Sequence, residues 1–285
     1  MSSQISCYIY AHSLVNPPSL SSGCDVDLIL RKSRGQIHLA KEETNFQTKY
    51  LLTVYNPFAL GLTSYSQEIV EAFVDNLVLS MNLNLKHAVL SIIKGEIPTL
   101  DVRLQPESRV VVKETPRGKV IEVEEILFIH DSVYVMIRFT EEVDEESVLS
   151  IFTLINKLYS DQVTDKLKAN NLKKALADYK GAMKVFDRLM IFKELFNSLE
   201  KAANWDGINR TGEALDKEVS TITDVQQSEV EKWRRFYNRT KHVDREPKEA
   251  NEFISGIMNL HSFLEPLRVA ANKIIIDRLK KTVST

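Results

Sequence analysis

The chain has 285 residues, 44% of them hydrophobic and 27% charged, and carries a net charge of −2 at pH 7. Against domains of about 100–200 residues, that length and composition predict two globular domains, each with a real core. The charge balance excludes a dedicated, sequence-independent DNA binder, whose affinity needs a strongly basic surface, so any nucleic-acid contact has to rest on a local basic patch.

The N-terminus, MSSQISCYIYAHSL, lacks the basic stretch and apolar run of a signal peptide. No window reaches the roughly 18 apolar residues of a membrane span, so a cytoplasmic protein without membrane contact is expected. Cys7 and Cys24 are too far apart for a CxxC site and read as small hydrophobic residues in a reducing compartment.

Short apolar runs at Ile5 to Tyr10 and Val26 to Leu30 predict strands, separated by a loop at Pro17, Pro18, Ser19, Ser21, Ser22 and Gly23. Tyr50 to Tyr55 is a third strand, ended by Asn56-Pro57. Ser66 to Met81 predicts a helix, with Ile69, Phe73, Leu77 and Met81 at steps of four. Val110 to Lys113 and Val120 to Val123 flank Pro116-Arg117-Gly118 as a hairpin does, and Ile126 to Phe139 alternates again around His130-Asp131. The first part, 1–145, is therefore expected to be a mixed α+β domain with an antiparallel sheet and a helix, in a sensor or regulatory role.

The run from Glu141 to Glu146 is expected to be a helix N-terminus or linker, because carboxylates favour the positive end of the helix dipole. Beyond it every segment has helical spacing: Ser147 to Ser160, Leu167 to Tyr179, Met183 to Trp205, about Thr223 to His242, and a last helix from Pro247 to about Leu279 with a possible bend at Pro266. Residues 146–285 thus predict an all-α helical bundle. Trp205 reads as a helix-end anchor, His87 as a partly buried histidine, and His261 as a core-lining residue or a neighbour of the helix before it.

The segment Trp233-Arg234-Arg235-Phe236-Tyr237-Asn238-Arg239-Thr240-Lys241-His242 carries the chemistry. At helical spacing Arg235, Asn238 and His242 share a stripe about 60° wide. Val230, Trp233, Phe236 and Tyr237 gather on the opposite face, which should pack into the bundle. An imidazole can move a proton to or from a ribose hydroxyl, a guanidinium can hold a phosphate, and an amide can orient either. Such a stripe is also what an ordinary solvated helix face presents. No carboxylate–histidine cluster asks for a metal, and no Gly-rich loop asks for a nucleotide cofactor.

Arg235 and His242 enclose FYNRTK, and this resembles the signature of the HEPN superfamily, Arg then four to six residues then His, in its long form. Phe192 to Glu200 (FKELFNSLE) is similar to the first long helix of that family, and the resemblance covers about residues 183–283. The first part resembles loosely the N-terminal domain of ApeA-like defence proteins. The resemblance implies a metal-independent endoribonuclease, homodimeric, in antiphage defence or a toxin-like system. RNA is then the partner and DNA is not. Arg235, Asn238 and His242 would be catalytic, with Arg239 and Lys241 binding RNA. Two departures stand out. Phe236 follows Arg235 where many active members have a polar residue, and Tyr237 falls where the short form has its Arg. The alternative is a catalytically inactive HEPN-like module for RNA binding or protein assembly.

Overall fold

The computed structural model describes residues 4–14, 22–42, 48–64, 66–92, 110–115, 118–123, 135–160, 163–185, 187–240, 256–257 and 259–283. Pro17 to Ser21 of the first expected loop, Pro116-Arg117 of the hairpin turn, His130-Asp131, Lys241, His242 and Pro247 lie outside the described residues.

The first part is α+β. Its elements in order are β1 (Gln4–Ser13), β2 (Ser22–Arg31), β3 (Ile37–Glu42), β4 (Thr48–Tyr55), helix α1 (Gln67–Asn84) and β5 (Ala88–Ile92). Strands β3, β4, β1 and β5 form an antiparallel sheet in that spatial order. Along β1, Ile5, Ile9 and Ala11 turn into the core while Gln4, Ser6 and Tyr8 face out, the period-2 alternation of a half-buried strand. Phe73, Leu77 and Met81 of α1 join the same core, whereas Ile69, first of the expected stripe, is left 38% exposed. The hairpin forms as expected from β6 (Val110–Thr115) and β7 (Gly118–Val123), with Val112 opposite Ile121.

Two strands have a partner that the residues did not announce. β2 includes Ser22 and Gly23, assigned above to the loop, and pairs in parallel with β8 (Val135–Asp144), from Ser22↔Val135 to Arg31↔Asp144. A parallel pair cannot be closed by a turn, and here everything from β3 to β7 lies between the two strands. Side chains of β4 hold β2 in place: the Tyr50 hydroxyl donates to Val26 O at 2.7 Å and accepts from Leu28 N at 2.9 Å, and Thr48 Oγ1 accepts from Val26 N at 2.8 Å.

The acidic run is half strand and half helix rather than a linker. β8 continues through Glu141 and Glu142, and Asp144 then caps α2 (Glu145–Tyr159), accepting from Glu146 N at 3.1 Å. Two carboxylates of the run are buried and serve as loop clamps. Glu141 accepts from the backbone N–H groups of Lys86, His87 and Ala88. Glu145 accepts from those of Arg34, Gln36 and Ile37.

Helices α3 (Lys166–Ala182), α4 (Arg188–Ala203), α5 (Glu213–Thr223), α6 (Gln227–Thr240) and α7 (Leu260–Val283) follow, and no described residue beyond Asp144 is in a strand. α4 starts at Arg188 rather than Met183 because Asp187 caps it, accepting from Met190 N at 2.8 Å. α5 is additional to the helices that the spacing predicts, the next of which begins at about Thr223, the last residue of α5. No helix among the described residues is long and apolar enough to cross a membrane.

The two parts share their cores. Leu14, Leu79, Leu83 and Val89 pack into the helical cluster, and Val148 and Phe152 of α2 pack into the sheet cluster, with Phe73 edge-on to Phe152 at 5.0 Å. A polar knot sits at this seam. Arg268 of α7, fully buried, donates to Ala88 O at 2.6 Å, to Asn82 O at 2.9 Å and to the Tyr179 hydroxyl at 3.3 Å. Asn272 donates to Leu85 O at 3.0 Å.

His12 is 4% exposed beside this knot. Burial, and after it the Arg268 guanidinium, pushes its pKa down to about 4 from 6.5. The unfolded chain therefore takes up this proton first as the pH drops. The contribution of His12 is fully present above about pH 6.5 and is lost as the pH falls towards 4, by an amount on the order of 3 kcal/mol. Urea unfolding at pH 7, 5.5 and 4 is expected to show this slope in the wild type and a flatter one in His12→Gln. Asp206, held down to about 2 mainly by its hydrogen bond to Arg210, loses its own contribution only below its ordinary value of 3.8, so the two effects separate on the pH axis.

Candidate functional site

Helix α6 is built as its periodicity predicts. Val230, Trp233, Phe236 and Tyr237 are all buried. Phe236 meets Phe192 of α4 edge-on at 4.9 Å and lies 5.9 Å from Phe263 of α7. Tyr237 stacks on Phe196 at 4.6 Å, and its hydroxyl donates to Asn197 Oδ1. These contacts fix the rotation of the helix about its axis, and with it the opposite face.

That face carries Arg235 and Asn238, both exposed. The Arg235 side chain is 64% exposed, and its Nη2 lies 2.5 Å from Glu231 Oε1, one turn earlier. The neighbouring Arg234 has a different role. Its Nε and Nη2 reach the two oxygens of Asp216 at 2.8 and 2.7 Å, a bidentate clamp that ties α6 to α5. Arg239 is half-buried and already engaged. Lys232 pairs with Glu229 at 3.0 Å. Among the described residues of the stripe, Arg235 and Asn238 are therefore brought together facing solvent, with Glu231 as a third member.

Position 237 is core. A motif beginning there, as the short spacing has it, would start on a residue 5% exposed and stacked against Phe196, whereas position 235 reaches solvent.

The other histidines lie elsewhere. His87 is partly buried, as expected, with Nδ1 3.2 Å from Glu265 Oε2. His261 is exposed rather than core-lining, because its turn of α7 buries Leu260 and Leu264 instead. Cys7 is half-buried and free, its thiol pushed up to about 11 by burial, which keeps it protonated and unreactive near neutral pH. No group of three or more His, Cys, Asp and Glu among the described residues is arranged to hold a metal ion. Trp205 is 8% exposed at the end of α4, the anchor position expected of it.

Two members of this region escaped the sequence reading. Glu231 was legible, since Glu four residues before Arg on a helix is a recognised pairing. Asp216 was not, because its helix had not been recognised.

Gly256 closes on α6 from outside: a Cβ there would lie 2.2 Å from Cδ2 of the Phe236 ring. Gly256→Ala is expected to cost about 1–3 kcal/mol in denaturant unfolding, as overpacking does. Phe236→Leu in the same chain should cost less than the sum of the two single changes, since it vacates the contested space.

Comparison of the chain with protein-family models, with curated proteins and with solved structures returned no match.

Proposed function

We propose that the protein is a metal-independent endoribonuclease of HEPN type, acting as a homodimer on single-stranded RNA. Arg235 holds the scissile phosphate, Asn238 orients it, and His242 moves the proton between the 2′-hydroxyl and the leaving 5′-oxygen. The observation that carries this reading is the two-sided build of α6, which seats four apolar side chains in the core and turns Arg235 and Asn238 to solvent on one stripe. The attacking group belongs to the substrate, so the protein has only to position phosphate and proton.

A second reading is favoured by one observation. Arg235 already has a carboxylate partner in Glu231, and Phe236 beside it is core, so the stripe also suits a module that binds RNA or assembles proteins without cutting.

The full chain, incubated with single-stranded RNA in EDTA, is the test. Products ending in 2′,3′-cyclic phosphate support the enzyme. Retained RNA binding without cleavage across varied RNAs supports the module.

A further inference from the structure

The chain as a whole is slightly acidic, yet α3 carries five lysines against Asp178; Lys168 pairs with Asp165 at 3.0 Å and Lys180 with Asp75 at 3.7 Å, which leaves Lys166, Lys173 and Lys174 as its cationic strip. Lys166, Asn170 and Lys174 recur every four residues and are all exposed, as one face of a helix. Lys173 lies 5.2 Å from the ring of Tyr159, itself 45% exposed. Lys168 lies over Trp205 at 5.1 Å.

Where this face meets the C-terminal end of α4 and the turn after it, there is a surface cavity of about 200 Å³. Its wall includes Asn171, Lys174, Lys201, Asn204, Asn209 and Ile208, and no carboxylate lines it. Lys201 is held at 2.5 Å by Asp178, whereas Lys174 has no partner among the described residues.

The turn is locked before any ligand arrives. Asn204 gives both ends of its amide to Arg210, accepting from its N at 2.8 Å and donating to its O at 3.3 Å. Arg210 grips both oxygens of Asp206 at 2.8 Å. Asn171 donates to Trp205 O at 3.2 Å. Gly207 takes φ 84°, and a Cβ there would lie 2.9 Å from Leu167, so the tight closure of the turn needs glycine.

We propose that this cleft is a phosphate-binding site for single-stranded RNA. Lys174 and Lys201 contact a phosphodiester, and Asn209 on the rim reaches the adjoining ribose. The cavity is below the roughly 300–1,000 Å³ of a pocket that encloses a drug-sized ligand, which suits one phosphate and its sugar. The cations do not stop at its edge. Lys173 and Lys166 continue the positive strip along α3, eight residues or ~12 Å from Lys174 to Lys166, with the exposed Tyr159 ring beside Lys173 as a base-stacking surface. An extended positive strip beside an aromatic ring complements an extended polyanion carrying bases, not a lone small anion. The site uses other residues than the α6 stripe: neither Arg235, Asn238 nor Glu231 lines the cavity. The proposal therefore does not rest on the catalytic reading.

The test is fluorescence anisotropy of the full chain with a labelled ten-nucleotide oligoribonucleotide, titrated over a range of salt. Lys174→Gln and Lys174→Glu are expected to weaken binding by roughly three- to tenfold at low salt and to lower the slope of log K against log salt by about 0.7, the single-strand value for one lost phosphate contact. Thermal unfolding should be unchanged, because Lys174 is exposed and has no partner among the described residues. Wild-type affinity and slope in both Lys174 variants overturn the proposal. So does failure of the wild type to bind the oligomer, and so does equal competition by adenosine monophosphate or inorganic phosphate at matched phosphate concentration, which would make the cleft a small-anion site.

Discussion

The Arg268→Ala protein is expected to unfold with about 3–5 kcal/mol less free energy than the wild type, the usual cost of removing one partner from a buried charged network. Arg268 has no solvent exposure, and its guanidinium is shared by three elements: Ala88 O on β5, Asn82 O at the end of α1, and the Tyr179 hydroxyl on α3. Alanine would take the guanidinium from Ala88 O and from the Tyr179 hydroxyl and open a cavity at the seam between sheet and helices, while Asn82 O would keep the Tyr179 hydroxyl at 3.0 Å and Leu85 N at 3.3 Å. Arg268→Met, which keeps volume but not the donors, should recover the cavity part of the loss and leave the hydrogen-bonding part. Arg268→Lys should also fail to restore it, since one ammonium lacks the planar fork that spans these acceptors. Urea denaturation measures all three, and a loss below about 1 kcal/mol for alanine would show that water replaces the guanidinium at no cost.

The second large effect is on rate. If the protein cleaves RNA, His242→Ala is expected to slow cleavage by roughly 10²–10⁴-fold, as loss of a general acid/base does. Arg235→Ala should lose on the order of 3–4 kcal/mol of transition-state stabilisation, as removal of a group placed on developing charge does. Folding should hold in Arg235→Ala, because the side chain is 64% exposed and its pairing with Glu231 is of the exposed kind worth about 0.3–0.5 kcal/mol. The adjacent arginine provides the control. Arg234→Ala strips the partner from Asp216, which is 2% exposed, so it should destabilise the chain by about 1.5–3 kcal/mol. Per folded molecule, its effect on cleavage should be small. Cleavage kinetics measured beside thermal unfolding separate the two arginines. Equal rates for Arg235→Ala and wild type, with the fold intact, would remove Arg235 from the chemistry.

Much of the α6 region was legible because a helix with strong apolar contrast reveals its own orientation. Trp233, Phe236 and Tyr237 could only face inward together, and Arg235 and Asn238 then had to face out. The capped, amphipathic α2 and the β6–β7 hairpin were readable for the same reason: their signals are local and repeat at the period of the element. α5 was not, since over its length only Leu215 and Val219 are buried apolar residues and Asp216 lies between them. The short strands β3 (IHLAKE) and β5 (AVLSI) lack the length or alternation that would separate them from loop or core helix.

What the sequence by itself determined is the order of the chain: a strand-rich part with one long helix, then helices, with a helix whose Arg–Asn side opposes its aromatic side. Tertiary structure decided everything that depends on residues far apart in the chain. It paired β2 with β8, turned Glu141 and Glu145 from a surface acidic run into buried clamps on distant loops, gave Arg234 to Asp216 while leaving Arg235 to solvent, and sank Arg268 into the seam. Local periodicity fixes which way a side chain points from its own element, but the free energy of burying a charge depends on which acceptors the rest of the fold brings to meet it.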